Sequence, residues 1–438
     1  MASPPAEGRA TEGRGERLSG TPAHGGGAGE AGESATRGEA VAAAMSQPLV
    51  DMPEVPTRRE QAQRLLRDHP GQIEPDPFGQ PIVRGEILAI GPTAEALNKA
   101  RRAGFAIGGT TSYGALGLQV VTLTAPRGLT TAQAAERLHA LDPQGQYEFN
   151  HVYQLGGATG LAANAPAPVI ARAAPAVGAR VGLVDGSVAR EQPTLSGARL
   201  VQRAFAPGGA KATPHATAVA SLIAGAWGPF AGAAPGATLY VADVYGPSPM
   251  GGSVAALVRG LAWMAENRVP VINVSLVGPP NRLLQAAVQA LTARGHLVVA
   301  AVGNDGPSAP PLYPAAYPGV VAVTGVDGRR RVLPEAGRGE HVDFAAPGAD
   351  MAAGGMGAGF VRVRGTSFAA PIAAGRLARL LPRPDPAAAA RAVSALASQA
   401  ADLGPTGRDP VFGQGLIAFD VRTDPASVGA QRTALRGP

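Results

Sequence analysis

The sequence predicts an α/β protein, in which a doubly wound, mostly parallel sheet with helices on both faces follows a small ferredoxin-like α+β domain. Two observations support this prediction. From about residue 180 to residue 400, apolar strand-like segments alternate with helix-like segments, the pattern of a parallel sheet covered on both faces. Residues 80–155 instead follow the order β-α-β-β-α-β, which is the ferredoxin-like plan.

Composition divides the chain of 438 residues into unequal parts. Residues 1–75 are mainly Gly, Ala, Pro, Glu and Arg with little periodicity, so we expect disorder there, interrupted by one short helix at 57–68. Residues 156–178 are rich in Ala, Gly and Pro, which predicts a linker. The predicted organisation is a disordered region, a small domain, a linker, a large domain and a tail, at residues 1–75, 80–155, 156–178, 179–420 and 421–438.

Hydrophobic periodicity separates strands from helices in the small domain. Pro81–Gly91 alternates as a half-buried strand does. Thr130–Leu141 begins with hydroxyl residues that can cap a helix and continues with amphipathic spacing. The other predicted elements are a helix at Thr93–Gly104 and strands at Phe105–Tyr113, Leu116–Ala125 and Gln146–Leu155.

The large domain is predicted to repeat strand and helix. Strands are predicted at residues 180–185, 238–245, 270–276, 296–302 and 319–326. Helices are predicted at residues 215–225, 253–267, 281–294, 367–381 and 386–400. Because the carboxyl ends of parallel strands meet at one edge of a sheet, we expect the functional residues to lie there.

Composition also excludes several classes of function. The chain has no cysteine, which excludes disulfides, zinc-thiolate sites and a cysteine nucleophile. Its formal charge is +6 and its pI about 10.0, but the arginines are scattered and lack an aromatic platform, which favours a solvated basic surface over nucleic-acid binding. No segment approaches the ~18 apolar residues of a membrane span, and the N-terminus lacks the charged start and apolar core of a signal peptide.

Ser367 is the candidate nucleophile. It lies in Arg364–Pro371 (RGTSFAAP), between a strand-like segment and a predicted helix. A hydroxyl at a helix start is most often an N-cap. Two features favour a nucleophile instead: Gly365 allows another backbone to approach closely, and the small residues that follow leave the hydroxyl uncovered.

His215 and Asp185 are the candidate base and acid. A serine nucleophile needs a base, and an imidazole base needs an acid to orient it. Among the seven histidines, His215 begins a helix of small apolar residues, from which it can face the carboxyl edge of the sheet. Asp185 ends an apolar strand, where an unpaired carboxylate would be costly. Taken singly, a capping histidine and a turn aspartate remain alternatives.

Together these motifs resemble the subtilisin family of serine peptidases, which has the same chain order of Asp, His and Ser. A fourth match is Val298–Gly306 (VVAAVGNDG). The resemblance covers about residues 178–420. It implies a subtilisin-like fold and a serine endopeptidase that needs no cofactor, with Asp185, His215 and Ser367 as the catalytic triad.

The resemblance also implies which groups bind the substrate. Asn304 is expected to donate its side-chain amide to the oxyanion, with the backbone N–H of Ser367 as the second donor. Peptide substrates are expected to add as an extended strand beside Asn273–Gly278. The implied substrate-binding residues are Ser275, Leu276, Val277, Gly278, Val302 and Gly303.

Some positions depart from the family pattern. Val277 and Val302 stand where smaller residues are usual; either they narrow the subsites and favour medium apolar side chains such as Leu, or they point into the core. Gly186-Ser187 reverses the usual order after the aspartate, and Ala216 replaces a glycine after the histidine. Because small misplacements lower rates greatly, a catalytically weak or inactive binding or scaffold protein of the same fold is the alternative.

Residues 80–155 resemble the family's propeptide and are expected to act as an intramolecular inhibitor. Their C-terminal tail would lie in the active-site cleft through Phe149, Val152 and Tyr153, with self-cleavage between Tyr153 and about Ala165. No segment resembles a calcium loop, so no metal is predicted. The resemblance favours an extracytoplasmic or secreted location, although no signal peptide is visible.

Overall fold

The computed structural model describes residues 57–163 and 175–428, with the backbone alone for residues 158–163. Predictions that fall on residues 1–56, 164–174 or 429–438 lie outside the described residues. Within the described ranges, none of the helices combines the length and apolar character that crossing a membrane requires.

The N-terminal part begins with helix α1 (Arg58–Asp68) and continues as a five-stranded antiparallel sheet. Its elements are β1 (Ile73–Pro75), β2 (Pro81–Ile90), α2 (Ala94–Arg102), β3 (Ala106–Tyr113), β4 (Leu118–Thr124), α3 (Thr131–Leu141) and β5 (Gln146–His151). The strand order is β1-β2-β4-β3, with β5 also paired to β2. From β2 to β5 the elements follow the predicted β-α-β-β-α-β order. Thr130 caps α3 as predicted, and Thr93 caps α2 in the same way.

Two strands, β6 (Gln154–Leu155) and β7 (Ala158–Ala163), follow β5 along the chain and precede the strands of the larger sheet. The later strands are β8 (Arg180–Asp185), β9 (Arg199–Ala204), β10 (Ala226–Trp227), β11 (Phe230–Ala231), β12 (Thr238–Asp243), β13 (Val271–Val274), β14 (Leu276–Val277), β15 (Leu297–Ala301), β16 (Val320–Val326), β17 (Phe344–Pro347), β18 (Met351–Gly354) and β19 (Phe360–Arg364). The helices are α4 (Pro214–Ala224), α5 (Val254–Glu266), α6 (Arg282–Ala293), α7 (Thr366–Ala378) and α8 (Pro386–Ala397). Seven strands form one parallel sheet in the order β17-β16-β15-β13-β8-β12-β9.

Helices cover both faces of the parallel sheet, and each face has its own apolar core. One core contains α4, α7 and α8, and the other contains α5 and α6. The second core also includes Leu88, Tyr113 and Val120, so the small sheet packs against the α5–α6 face. The predicted doubly wound α/β fold is therefore confirmed, and β8, β13 and β15 all end at the edge where the candidate residues lie.

The short helix predicted at residues 57–68 is confirmed as α1, whereas the disorder predicted around it is wrong for residues 73–75, which form β1. Leu65 and Leu66 of α1 pack against a small cluster that includes Ile73, Val83 and Val152. Helix α1 also has a capping box, in which Thr57 and Glu60 satisfy each other's backbone N–H groups. The composition of this segment gave no sign of these contacts because they depend on residues further along the chain.

Further differences concern strands. The predicted linker contains β7, which pairs antiparallel with β19; the edge of the β18–β19 hairpin offers unpaired backbone groups to such a segment. The predicted strand Gln146–Leu155 is divided into β5 and β6, because the chain leaves the small sheet and joins β14. Strand β9 was not predicted, since it lies at the edge of the sheet and carries polar residues.

Candidate active site

Asp185 and His215 form a buried pair at the carboxyl edge of the parallel sheet. His215 Nδ1 lies 2.8 Å from Asp185 Oδ2, and neither side chain is more than 7% exposed. The backbone N–H of Gly186 donates to the other carboxylate oxygen at 2.7 Å. Because an ionised carboxylate only accepts, the shared hydrogen lies on Nδ1, so that Nε2 is the acceptor nitrogen whenever the ring is neutral.

The residues around this pair explain the reversed Gly186-Ser187 order. A Cβ on Gly186 would lie 2.7 Å from Thr213 Cγ2, so a side chain there would displace the residue that caps α4. Thr213 Oγ1 accepts from the N–H of Ala216 at 3.1 Å and so fixes the start of the helix. Ser187 Oγ donates to the buried Asp243 at 2.7 Å. The reversed order is therefore accommodated without breaking the Asp185–His215 bond.

Ser367 lies in the first turn of α7, directly below a peptide carbonyl of the same chain. Its Oγ donates to the carbonyl oxygen of Gly156 at 2.6 Å. Gly365, at φ 135°, precedes the helix, and a Cβ on it would lie 2.8 Å from that same oxygen. Glycine at position 365 therefore provides both the backbone conformation and the space that the carbonyl occupies.

Asn304 contacts the same carbonyl. Its Nδ2 donates to Gly156 O, and its Oδ1 accepts from the backbone N–H of Thr366 at 3.0 Å. Thr366 Oγ1 in turn accepts from the N–H of Gly303 at 3.2 Å. These two bonds join the end of β15 to the start of α7 and orient the amide so that its N–H group faces the carbonyl.

The side chain of Ser275 is hydrogen-bonded within the large domain. Its hydroxyl accepts from Asn273 Nδ2 at 2.8 Å and donates to the carbonyl oxygen of Ser367 at 2.9 Å. It is fully buried, so it supports the start of α7 from below. Sequence reasoning placed Ser275 among the substrate-binding residues and did not identify this contact or the part of Asn273.

The segment that ends at Gly156 lies along β14 as an added strand. Leu276 pairs with Leu155 and Val277 with Gln154, antiparallel. A Cβ on Gly156 would lie 4.0 Å from Val277 Cγ2, so the side chain of Val277 faces Gly156. Val302 belongs to the core on the α5–α6 face.

Tyr153 anchors this segment and is fully buried. Its hydroxyl donates to Pro279 O, and a Cβ on Gly278 would lie 2.7 Å from its ring, which explains the glycine there. Tyr245 donates its hydroxyl to Tyr153 O at 3.0 Å; burial, followed by the negative charge of Asp185, raises the pKa of Tyr245. Of the other predicted anchors, Val152 packs beneath α1, and Phe149 packs against the core of the small sheet.

His215 Nε2 is buried and has no hydrogen-bond partner among the described residues. The expected bond between this atom and Ser367 Oγ is not formed, because the hydroxyl points to Gly156 O instead. The ring of His215 packs against the ring of Phe368, with centroids 5.1 Å apart. Within residues 57–163 and 175–428, no cluster of three or more acidic or histidine side chains is arranged to hold a metal ion.

Comparison with known proteins identifies the family of the large domain. Residues 178–415 match the family model described as the subtilase family, which is more than half of the chain. This chain belongs to the subtilase family. The subtilase is 34% identical over 212 residues to subtilisin Savinase of Lederbergia lenta, a match that covers 48% of this chain and 77% of that protein.

A second relative is the minor extracellular protease Epr of Bacillus subtilis, 32% identical over 226 residues. That match covers 51% of this chain and only 35% of the relative, so the subtilase spans about a third of the length of that protein. Among solved structures, fervidolysin from Fervidobacterium pennivorans, described as a keratinolytic enzyme related to subtilisin, has a TM-score of 0.65 at 20% identity. The likeness covers 90% of this chain and 65% of that one, and it supports the fold.

Proposed function

We propose that this subtilase is a serine endopeptidase that first cleaves its own chain between Gly156 and Gly157. The observation that supports this most directly is the carbonyl oxygen of Gly156, which accepts hydrogen bonds from both Ser367 Oγ and Asn304 Nδ2. Acyl transfer requires a peptide carbonyl beside a serine hydroxyl, with an amide donor to its oxygen, and the carbonyl of Gly156 has both neighbours. The bond also lies within the stretch where the sequence predicted self-cleavage.

In the proposed reaction, Ser367 Oγ attacks the carbonyl carbon of Gly156, and His215 Nε2 accepts the hydroxyl proton. Asp185 holds the imidazole through Nδ1–H and stabilises the cation that forms. Asn304 Nδ2 stabilises the oxyanion. His215 then gives the proton to the amide nitrogen of Gly157, which leaves, and water hydrolyses the acyl-enzyme.

One rearrangement must precede the attack. Ser367 Oγ donates to the carbonyl that it is to attack, so its hydrogen has to turn towards His215 Nε2. That nitrogen is buried without a partner, so a new bond there would satisfy it. Rotation between staggered side-chain conformers moves the hydroxyl without a change in backbone.

The hydrogen bond from Ser367 Oγ to Gly156 O is also compatible with the alternative function. A subtilase in which the serine never reaches the imidazole would be a weakly active or inactive protein of the same fold. It would hold the segment 154–156 against β14 as a permanent contact instead of a substrate. The two candidates differ in whether the peptide bond after Gly156 is broken.

The N-terminal part is proposed to act as an intramolecular inhibitor. Its tail occupies the strand position beside β14, which is where a peptide substrate would add. A second contact involves helix α5, whose N-cap residue Ser253 makes no side-chain hydrogen bond to the helix. Asn150 Oδ1 accepts from the N–H of Ala255 at 3.0 Å and so caps this helix from the N-terminal part. Peptide substrates therefore compete with residues 154–156 for one site.

The test compares the parent chain with Ser367→Ala and with Ser196→Ala, an exposed serine. We expect the parent and Ser196→Ala to give a fragment with Gly157 at its N-terminus and to react with a fluorophosphonate probe. Ser367→Ala should remain intact and unlabelled. A parent that stays intact and unlabelled would support the inactive alternative, whereas cleavage of Ser367→Ala at Gly157 would overturn the assignment of the nucleophile.

A further inference from the structure

Gly157, the residue after the proposed cleavage point, lies in a space that has no room for a side chain. A Cβ built on it would lie 2.5 Å from Ser367 Oγ, 2.7 Å from Phe368 Cε2 and 3.3 Å from Arg364 O. Carbon atoms in proteins are in contact at about 3.5–4.0 Å. Even an alanine at this position would therefore overlap with its surroundings.

The preceding position is different. A Cβ on Gly156 would have its nearest contact at 3.3 Å, with Asn304 Nδ2, and its next at 3.9 Å, with Ser367 Oγ. A small shift accommodates a methyl group there. The restriction therefore belongs to the residue on the C-terminal side of the bond and not to the glycine pair as a whole.

Of the three atoms that crowd Gly157, the ring carbon of Phe368 is the one that excludes a side chain. Ser367 Oγ ends a short side chain that can rotate between staggered conformers. Phe368 is fully buried in the core beneath α7, and its ring packs against His215. To move the ring, a substrate would have to displace the imidazole that serves as the base.

The backbone of Gly157 is also held in place from both sides. Leu155 pairs with Leu276 on one side, and Ala158 pairs with Arg364 on the other. The chain from β6 to β7 therefore bridges two strands across Ser367. A larger residue at position 157 could relieve the overlap only by breaking one of these pairings.

We propose that Phe368 restricts the residue after the cleaved bond to glycine, so that this subtilase cleaves peptides on the N-terminal side of glycine. The inference rests on the proposed function, because it concerns the same site. It names a substrate class, extended peptides with a small residue followed by glycine, and a specificity-determining side chain. The chain's own segment Gly156-Gly157 belongs to that class.

The first experiment measures self-cleavage of the full chain after expression and purification. Gly157→Ala should slow the appearance of the cleaved fragment by at least about tenfold, since a buried overlap of this size is costly. Gly156→Ala, the matched control, should slow it less. Equal loss in the two variants would overturn the inference.

The second experiment tests whether Phe368 is the cause. The rate ratio of the Gly157 chain to the Gly157→Ala chain is measured in the parent, in Phe368→Leu and in Phe368→Ala. We expect this ratio to fall towards one as the side chain at position 368 becomes smaller, whatever each substitution does to the overall rate. A ratio that stays unchanged in both variants would show that Phe368 does not set the restriction.

The third experiment separates this inference from the proposed function. The self-processed protein is given two peptides that copy residues 150–163 and differ only in glycine or alanine at the position of Gly157. Preferential cleavage of the glycine peptide supports the restriction, and equal cleavage overturns it while the peptidase assignment stands. If neither peptide is cleaved and the fluorophosphonate probe does not react, both proposals fail.

Discussion

Arg58, in the first turn of α1, forms an ion pair with Asp305, the residue that follows Asn304. Its Nε lies 3.0 Å from Asp305 Oδ2, and its backbone N–H donates to Oδ1 at 3.0 Å. Both side chains are less than 20% exposed, at 17% and 15%. From the same helix, Gln61 Nε2 donates to Leu155 O at 3.3 Å. Helix α1 thus contacts both the segment in the cleft and the loop beside Asn304.

The first prediction concerns this helix. Arg58→Ala should weaken retention of the cleaved N-terminal part by about tenfold or more, because hydrogen bonds to charged groups contribute about 1.5–3 kcal/mol. The measurement is the lag between self-cleavage and the hydrolysis of a fluorogenic peptide, which should shorten. Arg59→Ala, an exposed neighbour on the same helix, is the control. An unchanged lag in Arg58→Ala would mean that α1 does not hold the inhibitor in place.

The second prediction concerns Asn304. Asn304→Ala should lower kcat for self-cleavage by about 100- to 1,000-fold, the loss that follows removal of one oxyanion donor, a figure that itself comes from a subtilisin. Asn304 also accepts from Thr366 N–H, so part of any loss could come from movement of α7.

Asn304→Asp is the control for that effect. It keeps an acceptor for Thr366 but removes the amide donor, so it should lose a comparable amount of activity. The midpoint of thermal unfolding reports whether the packing at the helix start is intact. A variant that is stable and cleaves at the parent rate would exclude Asn304 from the oxyanion site.

The third prediction concerns stability at acidic pH. Burial lowers the pKa of His296, and the positive charge of Arg294 lowers it further. Burial also lowers the pKa of His341, although the negative charge of Asp343 acts to raise it. The folded protein therefore keeps both histidines neutral at a pH where the unfolded chain binds protons. Since the unfolded state takes up more protons, the free energy of unfolding should fall as the pH drops through about 6.5 and below.

The measurement is the midpoint of thermal unfolding at pH 7.5 and pH 5.0, in the Ser367→Ala background to prevent self-digestion. The drop between the two pH values should be smaller in His341→Gln and His296→Gln than in the parent. His69→Gln, at an exposed position, should leave the drop unchanged. Burial also raises the pKa of Asp343, and this shift changes the free energy of unfolding with pH in the opposite direction to the two histidines. The comparison between variants therefore tests the prediction.

Much of this subtilase could be predicted from local pattern. The apolar strands and the small-residue helices predicted a parallel sheet covered on both faces, and the polar residues at the strand ends marked its functional edge. Asp185, His215 and Ser367 stood out because each carries a reactive group in an otherwise apolar or glycine-rich segment, and the resemblance to the subtilisin family added Asn304. Residue type and spacing were sufficient for the strands and helices because these depend on neighbours along the chain, whereas the grouping of these residues into one site came from the family resemblance.

The tertiary structure decided what those groups touch. Ser367 and Gly156 lie 211 residues apart, Ser275 and Ser367 lie 92 apart, and Arg58 and Asp305 lie 247 apart. No local pattern encodes such contacts, because they arise only when distant segments pack against the same sheet edge. The sequence alone therefore determined which chemical groups this edge carries. Packing determined that the carbonyl of Gly156 lies against Ser367 and that the ring of Phe368 borders Gly157.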